Sequence, residues 1–287
     1  MLKKIISSIG LCSLLGCTNI DDKSEVTQTN IETEINVEDT IESVYNQAYQ
    51  ENYKKDQIEH IVKKAKNSYV LVDAFDDIDI SKYSAKLKKN NNQIAGYISV
   101  GTGENFRDDY KSLKPYLTKK SWEEWPDEYY ISETKTGVLN IMKKRIDKMA
   151  DLGIDWVEFD NMDWLTTETR KKFKLSSTVK ESQEYVNELC NYTHSKGMRC
   201  MAKNCTKGFE NFDGVTYESY HKEKNWWDKE GTKEFLANDK LVIINHYKES
   251  NCQKVYDEYK KYYSSDKLLF ICEDSKAKKY KHYSRKK

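Results

Sequence analysis

Residues 154–164 read IDWVEFDNMDW, and the fold of the chain can be inferred outward from this stretch. Aromatic and apolar side chains at Trp156 and Val157 follow Gly153, a residue type that commonly ends a helix. The pattern predicts a buried strand that ends at Asp160. In parallel α/β folds, a carboxylate at the carboxyl end of an inner strand lies where the chemistry takes place. The structural alternative is an ordinary strand followed by an acidic surface loop.

Seven other short runs have strand character, and most of them end at a polar or acidic residue. They are residues 69–72, 94–99, 128–132, 198–203, 214–217, 241–245 and 268–272. Helical periodicity lies between runs, as at Val138, Met142 and Ile146. Alternating strands and helices indicate a parallel sheet. Eight strands predict an α/β fold of the (β/α)8 TIM-barrel type; the alternative, an open doubly wound sheet, agrees less well with that number.

The first residues have the pattern of a targeting segment. Lys3 and Lys4 precede an apolar run at 5–15 that is too short to span a bilayer as a stable helix. Residues 14–17, LLGC, then resemble the bacterial lipobox, in which Cys17 becomes the lipidated N-terminus. We therefore expect a signal peptide at 1–16 and a lipid-anchored, extracytoplasmic protein of the cell envelope. An ordinary secretory peptide is the alternative.

Composition divides the rest of the chain into three parts. Residues 17–43 are polar and acidic and predict a flexible tether. Residues 44–275 carry the strand and helix patterns and form the predicted catalytic domain, which a helix within 44–66 would open. Residues 276–287, KAKKYKHYSRKK, predict a basic tail with a solvated, disordered end.

The whole-chain composition limits the partners. Of 287 residues, 33% are charged, and the net charge of +1 provides no basic field for nucleic acid. The 21 Tyr and 6 Trp favour surfaces that stack on flat ligands such as sugar rings. The sequence does not indicate an oligomeric state.

Cysteine and histidine patterns indicate neither a metal site nor a cofactor. The five His are scattered and no HExxH motif occurs, so we predict no catalytic metal. Beyond Cys12 and Cys17, five cysteines remain, at 190, 200, 205, 252 and 272. We expect buried small hydrophobes with at most one disulfide, for which Cys200 and Cys205 are the candidates.

The strand ends supply a set of acids and aromatic rings for one barrel mouth. The polar members are Asp73, Glu104, Asp160, Asp163, Asn204, Glu218 and Glu273, and the aromatic members are Tyr97, Trp164, Tyr217, Tyr220 and Trp226. Glycoside cleavage needs this combination, because one acid protonates the leaving oxygen while a second carboxylate attacks the anomeric carbon or activates water.

The chain resembles glycoside hydrolase family 114, the endo-α-1,4-polygalactosaminidase-like (β/α)8 barrels, over about residues 68–275. The matching motifs occur in the family's order. They are AGYISVG at 95–101 with Glu104, RDD at 107–109, MKKR at 142–145, GID at 153–155, VEFDNMD at 157–163, HSKGM at 194–198, AKN at 202–204 and FDGVTYE at 212–218.

The resemblance implies a catalytic pair at Asp160 and Glu218, with Asp160 as nucleophile and Glu218 as general acid/base of a retaining mechanism. It also implies a set of substrate-binding residues around them: Asp73, Tyr97, Glu104, Arg107, Asn161, Asp163, Trp164, Lys203, Asn204 and Tyr220. Lys203 would keep a carboxylate ionised; alternatively, Lys203 and Asn204 form a structural network beneath the site.

Departures from the family pattern concern the substrate cleft. Phe159 stands where the family usually has Pro, Ser219 and Tyr220 replace Gln and Cys, and Glu273 with Asp274 replaces Glu with Tyr.

The implied substrate is an α-linked, galactosamine-containing exopolysaccharide cut in endo fashion. Asp76, Asp77 and Asp79 would add negative charge that attracts such a polycation. Two alternatives remain. A carbohydrate-binding lipoprotein without turnover would bind glycans but cut none. A polysaccharide deacetylase normally needs clustered metal-binding His, which this chain lacks.

Overall fold

The computed structural model describes residues 41–48, 56–75, 79–165, 167–220, 228–274 and 280–283. The strands are β1 (Ser43–Asn46), β2 (Ser68–Val72), β3 (Gln93–Ser99), β4 (Thr102–Glu104), β5 (Glu128–Tyr130), β6 (Trp156–Asp160), β7 (Arg199–Lys203), β8 (Gly214–Tyr220), β9 (Leu241–Glu249), β10 (Leu268–Asp274) and β11 (Tyr280–Tyr283). Eight of them pair in parallel in the order β1-β2-β3-β6-β7-β8-β9-β10, and β1 lies near β10. The sheet is thus a nearly closed barrel, and the predicted (β/α)8 TIM-barrel fold is confirmed.

Helices connect most successive barrel strands, whereas residues 204–213, between β7 and β8, form turns without a helix. The helices are α1 (Asp56–Lys64), α2 (Ser81–Lys89), α3 (Tyr110–Leu113), α4 (Thr136–Asp151), α5 (Thr167–Phe173), α6 (Val179–Ser195), α7 (Lys229–Ala237) and α8 (Cys252–Tyr263). The start of α6 is specified locally, because Thr178 and Glu181 form a reciprocal capping box. Within the described ranges, no helix has the length and apolar character needed to cross a bilayer.

Alternation along the strands separates two cores. On β6, Trp156 packs inside the barrel with Tyr69, while Val157 and Phe159 face the outer layer of helices. Because side chains alternate along a strand, Glu158 and Asp160 lie on the same inward side as Trp156. The inward side of β6 therefore carries an aromatic residue at the amino end of the strand and carboxylates toward its carboxyl end.

Three secondary-structure expectations need correction. Glu128–Tyr130 is not a barrel strand; it pairs antiparallel with Thr102–Glu104 in a separate two-stranded sheet. The missing barrel strand is Ser43–Asn46, in the region predicted as tether and helix, and it pairs with β2. Within the predicted basic tail, Tyr280–Tyr283 pairs antiparallel with β10. All three segments are short, so their tertiary partners decide their conformation.

Several sequence predictions fall on residues outside the described ranges. They are the signal peptide at 1–16, the lipidation site Cys17, the tether up to residue 40, Asp76, Asp77 and Trp226.

The cysteine prediction is also corrected. Disulfides join Cys190 to Cys200 and Cys252 to Cys272, and Cys205 belongs to neither bridge. The first bridge ties α6 to β7, and the second ties the start of α8 to β10. Both link a barrel strand to an outer helix, a spatial relationship that cysteine spacing alone does not contain.

Candidate active site

Asp160 and Glu218 lie at the carboxyl ends of β6 and β8 and share one cation. Lys203 at the end of β7, the strand between them, places its Nζ 3.2 Å from Asp160 Oδ1 and 3.3 Å from Glu218 Oε2. The lysine side chain is 1% exposed, whereas the two carboxyl side chains are 16% and 22% exposed. Residues separated by 58 positions thus meet at one site, where both carboxyl groups are partly exposed to solvent.

Burial and charge both act on Asp160. Burial raises its pKa above the ordinary value, and the neighbouring Glu218 carboxylate raises it further. The Lys203 ammonium and a hydrogen bond from the backbone N–H of Asn161 oppose that rise. The sequence expectation that Lys203 supports an ionised carboxylate agrees with this contact, although burial is the larger influence.

A third carboxylate lies beneath the pair. Glu158 is fully buried, with Oε1 3.8 Å from Lys203 Nζ, and its Oε2 accepts hydrogen bonds from Tyr69 (3.2 Å) and Thr216 (2.8 Å). This contact network holds the lysine from below. Glu158 was missed by the sequence analysis, although its position two residues before Asp160 on a strand was an available signal.

Glu218 is held from two sides. Its backbone N–H donates to Asn204 Oδ1 (2.9 Å), and Asn204 Nδ2 donates to its Oε2 (3.3 Å). On the other side, Tyr247 on β9 donates its hydroxyl proton to Oε1 (2.9 Å) and accepts a hydrogen bond from Asn245 Nδ2 (2.7 Å). Tyr247 was also missed; it lies on the inward face of β9, as alternation from Ile243 requires.

A second charged cluster borders the pair. Arg107 donates to Asp73 through both terminal nitrogens (3.0 and 2.7 Å) and to Glu104 through Nε (2.8 Å) and Nη2 (2.9 Å). All three are largely buried, which satisfies their charges internally. Tyr97 is buried near both groups: burial raises the pKa of its hydroxyl, and the carboxylates of Glu104 and Asp160 raise it further.

The side chain of Asn161 does not face solvent at the site of Asp160 and Glu218. It is 7% exposed, and its Nδ2 donates to Ser99 Oγ (2.9 Å), Thr102 Oγ1 (3.2 Å) and Glu128 Oε2 (3.2 Å). Burial raises the pKa of Glu128 to about 7. Glu128 begins β5. The prediction of a barrel strand at residues 128–132 would place Glu128 at the amino end and away from the mouth, so Glu128 was missed.

Trp164 needs a correction as a substrate-binding residue. Its ring is fully buried beside Gly101, where an added Cβ would overlap the ring. Tyr217 is buried as well and donates to Asp228 in the outer layer. The side chains of Asp163 and Tyr220 lie outside the described part of the chain. The described site is thus richer in carboxylates than in exposed rings.

Comparison with solved structures identifies two similar barrels. Ega3 of Aspergillus fumigatus, in complex with galactosamine, matches with a TM-score of 0.62 and 20% identity, over 81% of this chain and 89% of that chain. The glycoside hydrolase domain of PelA from Pseudomonas aeruginosa matches with a TM-score of 0.59 and 12% identity, over 83% of this chain and 95% of that chain. At such identities the likeness establishes a shared fold. No curated protein matches the sequence.

The family assignment rests on a sequence match that covers most of the chain. The model of glycoside hydrolase family GH114 matches residues 40–287, which includes the barrel and both carboxylates of the pair. The resemblance inferred from the ordered motifs is confirmed, and with it the expectation of a glycoside hydrolase. The chain belongs to glycoside hydrolase family GH114.

Proposed function

We propose that this protein is a lipid-anchored, endo-acting, retaining glycoside hydrolase that cleaves an α-linked polysaccharide containing galactosamine. The observation that carries the proposal is the placement of Asp160 and Glu218 on a single buried ammonium, Lys203, with both carboxylates accessible to solvent. A glycoside hydrolase needs two carboxyl groups that reach one glycosidic bond.

The proposed reaction has two steps. Asp160 attacks the anomeric carbon while Glu218 protonates the departing glycosidic oxygen, so the C–O bond breaks as a glycosyl–Asp160 ester forms. Glu218 then removes a proton from water, which attacks the anomeric carbon and releases Asp160. Lys203 and the Asn161 N–H stabilise the Asp160 carboxylate before attack and after release. Tyr247 and Asn204 hold Glu218 against the leaving oxygen.

Geometry supports retention over inversion. Because one Nζ contacts both Asp160 Oδ1 and Glu218 Oε2, these two oxygens are no more than about 6.5 Å apart, the lower end of the range for inverting enzymes. Retaining enzymes have carboxyl groups about 5–5.5 Å apart, a spacing that this limit allows.

Charge supports an amino-sugar substrate. Carboxyl groups of Asp73, Glu104, Glu128, Glu158, Asp160 and Glu218 outnumber the cations Arg107, Arg145 and Lys203 in the described site. An acidic cleft concentrates a polycation and favours protonated amines over neutral sugars. The galactosamine bound to the similar Ega3 is consistent with this choice.

The test is hydrolysis of partly deacetylated α-1,4-linked galactosamine polymer. We expect a ladder of short oligosaccharides from the wild type, and a loss of at least about 10³-fold in kcat for Asp160→Asn and Glu218→Gln. Glu188→Gln, an exposed carboxylate on α6, is the matched control and should retain activity. Cleavage of a neutral polysaccharide instead, or glycan binding without cleavage, would overturn the substrate or the enzymatic assignment respectively.

Azide rescue distinguishes the two roles. If Asp160 is the nucleophile, azide added to Asp160→Ala gives a glycosyl azide of inverted configuration, whereas azide added to Glu218→Ala gives the retained configuration. Proton NMR of the first product formed by the wild type reports the anomeric outcome directly. A β-configured first product from an α-linked substrate would refute retention.

The lipid anchor is proposed from the LLGC motif at 14–17, and with it an extracytoplasmic location in the cell envelope. Metabolic labelling with an alkyne fatty acid should mark the wild type and leave Cys17→Ser unlabelled. Labelling of Cys17→Ser to the same extent would contradict the assignment.

A further inference from the structure

The small β4–β5 sheet carries a carboxyl group that no step of the proposed reaction uses. Glu128, the first residue of β5, accepts hydrogen bonds at its Oε2 from Thr102 Oγ1 (2.6 Å) and from Asn161 Nδ2 (3.2 Å). Asn161 is the residue directly after Asp160. Glu128 is therefore two contacts away from the proposed nucleophile while belonging to a different sheet.

We propose that Glu128 is a positioning residue for Asp160 and that it acts through Asn161. The inference rests on the proposed function only in treating Asp160 as a catalytic group. Glu128 contacts Asn161, and Asn161 contacts Asp160, so these contacts join the β4–β5 sheet to the carboxyl end of β6.

The backbone of Asn161 explains why that end of β6 needs support. Asn161 has φ of +61°, in the left-handed region that non-glycine residues adopt at an energetic cost. Its side chain is held by Ser99, Thr102 and Glu128, and its N–H donates to the Asp160 carboxylate. Because its side chain is hydrogen-bonded to three acceptors, Asn161 keeps this backbone conformation. The conformation in turn directs the Asn161 N–H toward the Asp160 carboxylate. Two of these acceptors, Thr102 on β4 and Glu128 on β5, come from the second sheet, and loss of Glu128 removes the carboxyl acceptor.

Electrostatics couples the same two carboxyl groups. The charged groups around Glu128 are Glu104 on β4, Asp160 on β6 and Arg107 after β4, and the hydroxyl of Tyr97 on β3 is nearby. Burial, Glu104 and Asp160 raise the pKa of Glu128 to about 7, whereas Thr102 and Arg107 lower it. The charge on Glu128 therefore changes near neutral pH, and that change acts on Asp160.

The decisive experiment compares Glu128→Ala with Glu123→Ala. Glu123 is an exposed glutamate in the segment between β4 and β5. In a crystal structure of Glu128→Ala, we expect Asn161 to turn and Asp160 Oδ1 to leave its position 3.2 Å from Lys203 Nζ. We expect kcat to fall about 100-fold with little change in KM, since displacement of a reacting group by about 1 Å has that effect. Glu123→Ala should resemble the wild type. An unmoved Asp160 with wild-type kcat would overturn the proposal.

Glu128→Gln tests the same proposal if the alanine variant does not fold. The amide oxygen can still accept from Asn161, so kcat below pH 6 should stay within about threefold of the wild-type value. The wild-type plot of log kcat against pH should show an ionisation near 7 that Glu128→Gln lacks. A Glu128→Gln kcat about 100-fold below the wild-type value at low pH would refute the positioning role, because Gln keeps the acceptor; identical pH profiles would refute the electrostatic coupling to Asp160.

The structural measurement separates this inference from the proposed function. If the wild type cleaves no polysaccharide, the proposed function fails, yet movement of Asp160 in Glu128→Ala still establishes the positioning contact. If the wild type cleaves polymer and Asp160 stays in place in Glu128→Ala, the inference alone fails.

Discussion

The hydroxyl of Tyr247 donates a 2.9 Å hydrogen bond to Oε1 of Glu218, across the pairing of β8 with β9. The same hydroxyl accepts a 2.7 Å hydrogen bond from Asn245 Nδ2, so its own proton is directed at the carboxylate. This contact positions the proposed acid/base from the side opposite Lys203.

Tyr247→Phe should lower kcat/KM about tenfold, because Glu218 loses one of its restraints while the ring remains. It should also lower the free energy of unfolding by about 1–3 kcal/mol, since the buried Asn245 amide loses its acceptor. Steady-state kinetics and guanidinium unfolding check the two effects. Tyr256→Phe, on the outer helix α8 with its ring against Phe270 and Tyr283, is the control; equal effects in both variants would contradict the assignment.

Lys203→Met should move the acid side of the activity profile. The ammonium lowers the pKa of Asp160, so its removal raises that pKa and displaces the loss of activity at low pH to higher pH. Because Asp160, Glu218 and Glu158 lose their shared cation, stability should fall by about 3–5 kcal/mol. The kcat/KM profile of Lys203→Met, compared with that of the partly exposed Lys143→Met on α4, measures the displacement; an unchanged acid limb would refute it.

Glu128 should make stability pH-dependent. Its pKa is about 7 in the folded protein and near the ordinary value of 4.5 when unfolded. Below 4.5 both states hold the proton; between 4.5 and 7 only the folded state does, so the free energy of unfolding decreases as pH rises. The loss is complete above about pH 7 and amounts to about 3 kcal/mol.

Denaturant unfolding of the wild type and Glu128→Gln across this interval tests the prediction. The variant should become more stable relative to the wild type as pH increases, because its amide does not titrate. Parallel stability curves would show that Glu128 does not carry the linkage.

Removing the Cys252–Cys272 bridge should cost about 2–4 kcal/mol of stability. This bridge closes 20 residues, whereas Cys190–Cys200 closes 10, so the chain-entropy model predicts a loss larger by about 0.6 kcal/mol for the former. Urea unfolding of the two paired Cys→Ala variants measures the difference. A larger loss for the shorter loop would contradict the entropic account.

Local sequence pattern was sufficient to predict most of the barrel strands. Seven of the eight predicted strands are barrel strands, because buried parallel strands read as short apolar runs between helices. Asp160 and Glu218 were predicted because each stands at the end of such a run, and parallel strands bring their carboxyl ends to one mouth. Lys203 was implied by the family resemblance. The prediction failed at Ser43–Asn46 and Glu128–Tyr130, which are short and carry little periodicity.

The barrel, seven of its eight strands, the family and the residues at those strand ends could be read from the chain, since they depend on alternation and motif order. Tertiary structure alone decided which groups touch: Lys203 on three carboxylates, Glu128 on Asn161, Tyr247 on Glu218, the cysteine pairing and the burial of Trp164. Those contacts join residues on different strands and sheets. Their distances depend on barrel closure and side-chain packing, which no local pattern encodes.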